Sequence, residues 1–313
     1  MLDQFKIGHF TDLKNGTGCT VILPPRENIA SACVRGASPG TRELALLAPE
    51  KKVSHVDAIV LTGGSAFGLG CAHGVMQALA ELNLGYETKF GVVPIVPAAV
   101  IFDKNIGNSK AYPKIDDALF AFNHAEFNNG TMGSIGAGTG ATIGKWMGLQ
   151  TAMKAGVGVA SIEQNGVKVS AITVVNAVGD VIGFDGKILA GAISPDGLFY
   201  ASEDSLIRWR DTNLGMSANT VLSTVMMNAG IDKQQAYFLA ERAHYGIARR
   251  VDPSHTSFDG DVVFVVSKPE VSVSIDLLSS MVVKAVEESI INSVKASKSI
   301  FGIKAYRDII KAK

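Results

Sequence analysis

Two short stretches of this chain carry the residue types and spacing that could do chemistry. In the first, Asn219-Thr220 stands at the mouth of a run, Val221-Leu222-Ser223-Thr224-Val225-Met226-Met227. In the second, His255-Thr256-Ser257-Phe258-Asp259-Gly260-Asp261 leads into Val262-Val263-Phe264-Val265-Val266. Both runs read as buried strands, so a hydroxyl at the start of one and two carboxylates at the start of the other can meet at one sheet edge. A threonine hydroxyl is a weak nucleophile and needs a base within hydrogen-bond reach. If the peptide bond before Thr220 is cut, the freed α-amine supplies that base, since such amines titrate at roughly 7.7–8.0 in model peptides. The same hydroxyl can make the cut: attack on the Asn219 carbonyl, an ester by N-to-O shift, then hydrolysis. Asp259 and Asp261 fit as orienters of the amine and hydroxyl, because residues at i and i+2 of a strand share a face. The ordinary reading competes, since Asn-Thr opens many strands and Asp-Gly-Asp is a common turn. The chain has six histidines but no Gly-x-Ser-x-Gly elbow, which turns a hydrolase reading toward the amine route.

Three further features could serve such a site. Gly133-Ser134-Ile135-Gly136-Ala137-Gly138-Thr139-Gly140-Ala141-Thr142-Ile143-Gly144-Lys145 is glycine-rich, and glycines let backbone approach a ligand or another strand closely. It is no Walker A loop, because Thr139 stands five residues before Gly144 and Trp146 follows Lys145 where Ser or Thr is needed. Gly136 to Ala141 matches a degenerate Gly-x-Gly-x-x-Ala, but no convincing strand precedes it and Glu163 is the nearest acidic candidate for a ribose. The loop either packs backbone tightly or brings Lys145 to the nucleophile as a fixed positive charge. Asn176, inside the apolar Val174-Val175-Asn176-Ala177-Val178-Gly179, is a buried amide that must be satisfied; it is a turn residue or an oxyanion donor. Thr62-Gly63-Gly64-Ser65-Ala66-Phe67-Gly68 reads as a strand-to-helix turn, whose N–H groups suit sheet packing or an anion.

The elements around these residues are legible in outline. Thr20 to Leu23 and Ile29 to Val34 read as early strands joined by Pro24-Pro25-Arg26-Glu27-Asn28, and Val56 to Leu61 as a buried strand. Val92 to Phe102 reads as a strand with a proline-marked bend. Cys71, Val75, Ala78 and Leu79 share a face of a helix ending near Leu82. Asp103 to Met132 is polar, with one short helix near Ile115 to Ala125. Gly156 to Gly186 reads as strands with a turn at Glu163-Gln164-Asn165-Gly166, and Asp196 to Ala218 as a mobile loop. Asp232 is an N-cap for a helix with Ala236, Leu239, Ala240, Ala243 and Ile247 on one stripe. A long helix spans about Ile275 to Ser297, and a short one ends the chain. With no repeat and no composition shift, a single domain over residues 1–313 is the simplest expectation.

Composition bounds the partners. The 313 residues are 47% hydrophobic and 19% charged, with 29 basic against 29 acidic side chains, and no basic tract interleaves with aromatics. Nucleic acid is therefore not an expected partner. The longest apolar stretch, Gly91 to Phe102, is broken by Pro94 and Pro97 and is too short to span a bilayer, so no membrane is expected. Cys19, Cys33 and Cys71 are odd in number and lack metal-ligand spacing; with no signal-like N-terminus they point to a cytoplasmic protein.

Taken in order, these stretches resemble the DmpA family of self-processing aminopeptidases, peptidase family S58, which also contains β-peptidyl aminopeptidases and nylon-oligomer hydrolases. The matching segments are Ile7-Gly8-His9-Phe10-Thr11-Asp12, Gly18-Cys19-Thr20-Val21, Arg35-Gly36-Ala37-Ser38-Pro39-Gly40-Thr41-Arg42-Glu43, His55 to Leu69, Val93 to Asp103, Gly136 to Lys145, Val175 to Gly179, Asn219-Thr220 and Phe258 to Asp261. The resemblance implies an α/β four-layer αββα sandwich of the DmpA and ornithine-acetyltransferase type. It implies cleavage before Thr220 into fragments 1–219 and 220–313 that stay associated, and usually homotetramers of the processed pair. It places the nucleophile at Thr220, with Asp259 and Asp261 assisting, Lys145 nearby and Asn176 in the oxyanion site, and calls for no metal or cofactor. Aminopeptidase members tend to carry Ser as nucleophile with a Ser/Glu pair downstream. Thr220 with Asp259-Gly260-Asp261 is closer to the nylon-oligomer hydrolases, and a tyrosine used by some members falls at Phe102. The expected substrate is a small peptide, an aminoacyl amide or a 6-aminohexanoate oligomer. Two alternatives remain: an acyltransferase of the ornithine acetyltransferase type, and a processing-deficient scaffold.

Overall fold

The computed structural model describes residues 4–194 and 219–310; the stretch read above as a mobile loop, 196–218, lies outside the described residues. In chain order, eleven strands build the two large sheets: β1 (Lys6–Asp12), β2 (Thr17–Leu23), β3 (Ile29–Val34), β4 (Thr41–Arg42), β5 (Ile59–Thr62), β6 (Ala98–Val100), β7 (Glu126–Phe127), β8 (Val157–Gln164), β9 (Val167–Asn176), β10 (Thr220–Ala229) and β11 (Val262–Val271). The helices are α1 (Cys71–Glu81), α2 (Ile115–Asn123), α3 (Lys233–Arg250), α4 (Ile275–Ala296) and α5 (Tyr306–Ile310). One sheet runs β4-β6-β5-β2-β1-β7 and the other β8-β9-β10-β11-β3.

Alternation of side chains along the strands sorts the apolar residues into three separate cores. Cys19, Val21 and Val60 point away from the second sheet and pack with Cys71, Val75 and Leu79 of α1 and Ala118 and Ala121 of α2. Ile22, Ile59 and Leu61 turn the other way and meet Ile172, Val174, Leu222, Met226 and Phe264 between the sheets. Val169, Val221, Val225, Val263 and Val265 pack against Leu239, Ala243 and Ile247 of α3 and Leu278, Val282 and Val286 of α4. Three cores between four layers make the αββα sandwich that the resemblance implies. Because β9, β10 and β11 are covered on both faces, apolar residues stand on both faces of each strand rather than on one.

The helices form where periodicity and caps place them. Asp232 caps α3, its side chain accepting from Gln235 N at 2.8 Å while Gln235 returns a bond to the Asp232 N–H at 3.0 Å, a reciprocal capping box. Asn165 and Gly166 have φ of 54° and 78°, the left-handed pair that a two-residue β8–β9 hairpin needs.

Pro24 to Asn28 joins β2 to β3 as expected and carries the chain from one sheet to the other: β2 pairs with β1 and β5, while β3 lies at the edge of the other sheet beside β11. One strand expectation changes. The stretch 92–102 is not one bent strand. Gly91–Val93 pairs only with Tyr86–Thr88, and Ala98–Val100 alone enters the large sheet. Pro94 and Pro97 each lack the N–H that a continuous ladder needs.

Candidate active site

The nucleophile candidate begins the central strand of the second sheet. β10 runs antiparallel to β9 and parallel to β11, and all ten of its residues are buried. Asn176 is directly opposite Thr220 in the β9–β10 register. Both share parity with residues that fill the inter-sheet core, Val174 and Leu222, so the hydroxyl and the amide lie on one face at the rim of that core. Thr220 is 3% exposed.

The bond expected to break is held on several sides. Asn219 donates its N–H to the Phe258 carbonyl at 3.0 Å and accepts from the Gly260 N–H at 2.8 Å. The Thr220 hydroxyl also hydrogen-bonds the Asn219 carbonyl oxygen. Gly260 lies close to the nucleophile, since a Cβ there would sit 3.0 Å from Thr220 Oγ1 and 2.7 Å from the Ser38 carbonyl oxygen. A side chain would intrude on the attacking oxygen.

The two aspartates are near this bond but are not equivalent. β11 starts at Val262, so Asp259 and Asp261 precede the strand rather than open it, and the i, i+2 argument for a common role does not apply. Asp261 Oδ1 accepts the Val221 N–H at 2.6 Å, and Oδ2 faces His255 Nδ1 at 2.6 Å. Asp259 instead takes the Thr256 N–H and hydroxyl on Oδ2, each at 2.7 Å. Its Oδ1 is buried without a hydrogen-bond partner. Burial, then the charge of Asp261, push the Asp259 carboxyl up to about 6, against the pull of Thr256 and Lys145.

Lys145 reaches the site from the end of the glycine loop. Its Nζ donates to Asn176 Oδ1 at 3.0 Å and to the Asn176 carbonyl at 3.1 Å. Burial lowers its ammonium to about 7, while the charge of Asp259 opposes the shift. Asn176 is satisfied further by the Thr142 N–H on Oδ1 at 3.0 Å, and its Nδ2 donates to the Phe102 carbonyl at 3.0 Å. An amide nitrogen carries two hydrogens, so this bond uses one and leaves the second. Phe102 thus contacts Asn176 through its backbone.

The glycine loop packs against backbone rather than cradling a phosphate. Cβ atoms at Gly138, Gly140 and Gly144 would lie 2.4 Å from Val157 N, 2.2 Å from the Gly16 carbonyl oxygen and 2.2 Å from Ala192 N. The carbonyls of Gly138 and Ala141 converge with that of Ala155 on the buried Lys154 ammonium. The turn at Gly63-Gly64 is likewise built inward, with the Gly64 N–H on Asp103 Oδ1 at 2.7 Å. Among the described residues no group of three His, Cys, Asp or Glu side chains could hold a metal ion. No helix among them is long and apolar enough to cross a membrane.

Peptidase family S58 matches residues 3–307, nearly the whole chain. This chain belongs to peptidase family S58. The S58 chain is 32% identical to an uncharacterised aminopeptidase of Mycobacterium tuberculosis (strain ATCC 25618 / H37Rv), over 97% of its own length and 95% of the relative. It is 28% identical to a 6-aminohexanoate-oligomer endohydrolase of Kocuria sp. (strain KY2), over 82% of this chain and 70% of that one. Two solved structures share its fold. The L-aminopeptidase D-Ala-esterase/amidase from Ochrobactrum anthropi superposes with a TM-score of 0.75 at 17% identity, covering 99% of this chain and 92% of that one. A Burkholderia sp. beta-aminopeptidase gives 0.74 at 18%, covering 98% and 90%. The S58 chain is a hydrolase acting on peptide or amide bonds.

Two titratable residues described above had no role in the sequence reading. His255 sits inside the Asp-Gly-Asp stretch, six residues ahead of the carboxylate it faces. Lys154 had no signal beyond being a lone cation in an apolar segment, Ala152-Met153-Lys154-Ala155.

Proposed function

We propose that the chain is a self-processing N-terminal-nucleophile amidohydrolase that works through an ester on Thr220. The observation that carries this reading is the grip on one carbonyl: the Thr220 hydroxyl and the Gly260 N–H both bond the Asn219 oxygen. Thr220 Oγ1 attacks the Asn219 carbonyl carbon, and the Gly260 N–H stabilises the oxyanion. The C–N bond breaks, the nitrogen takes a proton, and an ester joins Asn219 to Thr220. Water then hydrolyses the ester, giving the Asn219 carboxylate and a Thr220 with free amine and hydroxyl.

The processed site repeats the chemistry on an external amide. The new α-amine takes the hydroxyl proton, Oγ1 attacks the substrate carbonyl, and the second hydrogen of Asn176 Nδ2 meets the oxyanion. A donor of this kind supplies about 3 kcal/mol of barrier lowering. Loss of the amine leaves an acyl-enzyme, which water resolves. The substrate class is that of relatives named aminopeptidase and 6-aminohexanoate-oligomer endohydrolase: small peptides, aminoacyl amides or linear amide oligomers.

Intact mass spectrometry of the purified protein tests the first half. Fragments 1–219 and 220–313 are expected from the wild type, and one uncut chain without amidase activity from Thr220→Ala. A cut, active alanine variant would end the proposal.

A further inference from the structure

Asp261 makes the contact that fixes the backbone at the nucleophile, and something must hold Asp261. β10 and β11 begin to pair at Leu222 and Val262, so the Val221 N–H lies just ahead of the ladder and Asp261 Oδ1 takes it at 2.6 Å. We propose that His255 is a positioning residue that locks Asp261 onto the Val221 N–H and leaves Asp259 as the carboxylate free to exchange a proton with the nucleophile. This inference rests on the self-processing reading above and assigns the two aspartates separate roles within it.

The geometry of His255 is built for that contact. Its Nδ1 lies 2.6 Å from Asp261 Oδ2, and its backbone N–H reaches the same oxygen at 3.3 Å. The residue holds a left-handed φ of 54°, a conformation that costs a non-glycine residue energy and persists only where surrounding structure enforces it. Nε2 faces the His244 carbonyl at 3.5 Å, a long contact that contributes orientation more than energy. Both ring nitrogens therefore face oxygen acceptors, and the imidazolium is the form that donates from both. Burial works against that charge, but the hydrogen bond and charge of Asp261, with the His244 carbonyl and the charge of Asp259, outweigh it and raise the His255 pKa.

The other ionisable groups around the ring do not take its place. His244 on α3 stacks edge-on against it, with ring centroids 4.9 Å apart, and burial lowers that histidine to about 4. It is therefore neutral when His255 is charged. Arg35 donates only its backbone N–H to the Asp261 carbonyl, at 3.0 Å, and its guanidinium is paired with Glu241 of α3. Lys145 opposes the upward shift of Asp259 and has its own bonds to Asn176. His255 is left as the cation on Asp261. Asp259, with one oxygen unpartnered, is the carboxyl left to work near neutral pH.

The test is the pH dependence of self-cleavage, followed from pH 5 to 9 on freshly translated full-length chain. His255→Asn keeps a neutral amide donor and tolerates the left-handed backbone, but removes the cation. Asp261 then acts on Asp259 uncompensated, and the acid limb of the cleavage profile is expected to move up by about one pH unit. An acid limb superimposable on that of the wild type would overturn the inference. The uncut Thr220→Ala chain gives a second readout by ring NMR: His255 is expected to titrate above an ordinary histidine and to drop when Asp261→Asn is added. A His255 that titrates at or below the ordinary value would also overturn it, whatever His255→Asn does to folding. If Thr220→Ala itself is cut, the self-processing reading has failed instead.

Discussion

Two buried lysines, nine residues apart in the chain, occupy opposite kinds of surroundings. Lys154 is fully buried and spends its ammonium on three backbone carbonyls, those of Gly138, Ala141 and Ala155. Lys145 is almost as buried, but both of its bonds go to Asn176. Its third hydrogen has no acceptor among the described residues. Burial pulls both down to about 7, so depth and shifted basicity do not separate them. Their partners do. Lys154 braces the loop that carries Lys145, and Lys145 stands among groups that face the bond at Thr220. A shifted pKa marks a functional group only when the neighbouring geometry includes a reacting atom.

The largest effects are expected from removing each charge in turn. Lys145→Met should lower amide hydrolysis by about 10²- to 10³-fold, the scale for losing a group that stabilises charge in the transition state. Stability of the uncut chain should change little, because a costly buried cation goes with it. Lys154→Met should do the reverse first. It leaves three carbonyls without their donor, costing about 2–4 kcal/mol of stability, read by urea unfolding of the Thr220→Ala chain. If Lys145→Met destabilises as much as Lys154→Met while hydrolysis falls equally in both, the distinction between site and brace is lost.

The pH dependence of stability tests the other side of the comparison, what the two lysines share. A lysine whose folded pKa lies below its unfolded 10.5 holds fewer protons folded than unfolded between about 7 and 10.5. Stability therefore rises with pH across that window. From pH 7 to 9 the gain is at most about 2.7 kcal/mol per lysine, two pH units at 1.36 kcal/mol each. Both lysines are lowered to about 7, so their shares should be about equal. Urea unfolding of the uncut chain at pH 7 and 9 should show the rise, and Lys145→Met and Lys154→Met should each flatten it by a similar amount. A variant that leaves the rise at full size would mean that its lysine stays charged in the folded chain across this window.

What could be read from the chain follows from where the information is local. Apolar runs after Thr220 and Asp261 announced two buried strands, and they lie side by side as β10 and β11. The stripes on α1 and α3 match their buried faces except at Ala78, which is half-buried. Asn176 was legible as a buried amide, and Lys145 as the end of a glycine loop. The sheet that β3 joins was not legible, because strand composition is the same on either side of a sandwich. β1 was missed because Lys6-Ile7-Gly8-His9-Phe10-Thr11-Asp12 alternates too weakly to stand out. The separate roles of Asp259 and Asp261 depend on where the strand begins, a boundary that spacing does not define. Neither His255 nor Lys154 could be assigned, since a lone titratable residue takes its meaning from partners brought by distant segments.

A smaller effect is expected from crowding the site while leaving the brace alone. Gly260 has no left-handed φ, so alanine fits its backbone. The new Cβ, however, would sit 3.0 Å from Thr220 Oγ1, 2.7 Å from the Ser38 carbonyl oxygen and 3.0 Å from Pro39 Cα. The loop must yield by a few tenths of an ångström, which moves the Gly260 N–H off the Asn219 carbonyl oxygen. Overpacking of this kind costs about 1–2 kcal/mol. Gly260→Ala should therefore slow self-cleavage roughly tenfold, measured as the half-life of the uncut chain, and its strain should lower the urea midpoint as well. Cleavage at the wild-type rate would show that the grip on the Asn219 carbonyl does not limit the reaction, and that Lys145 and the two aspartates must carry it without Gly260.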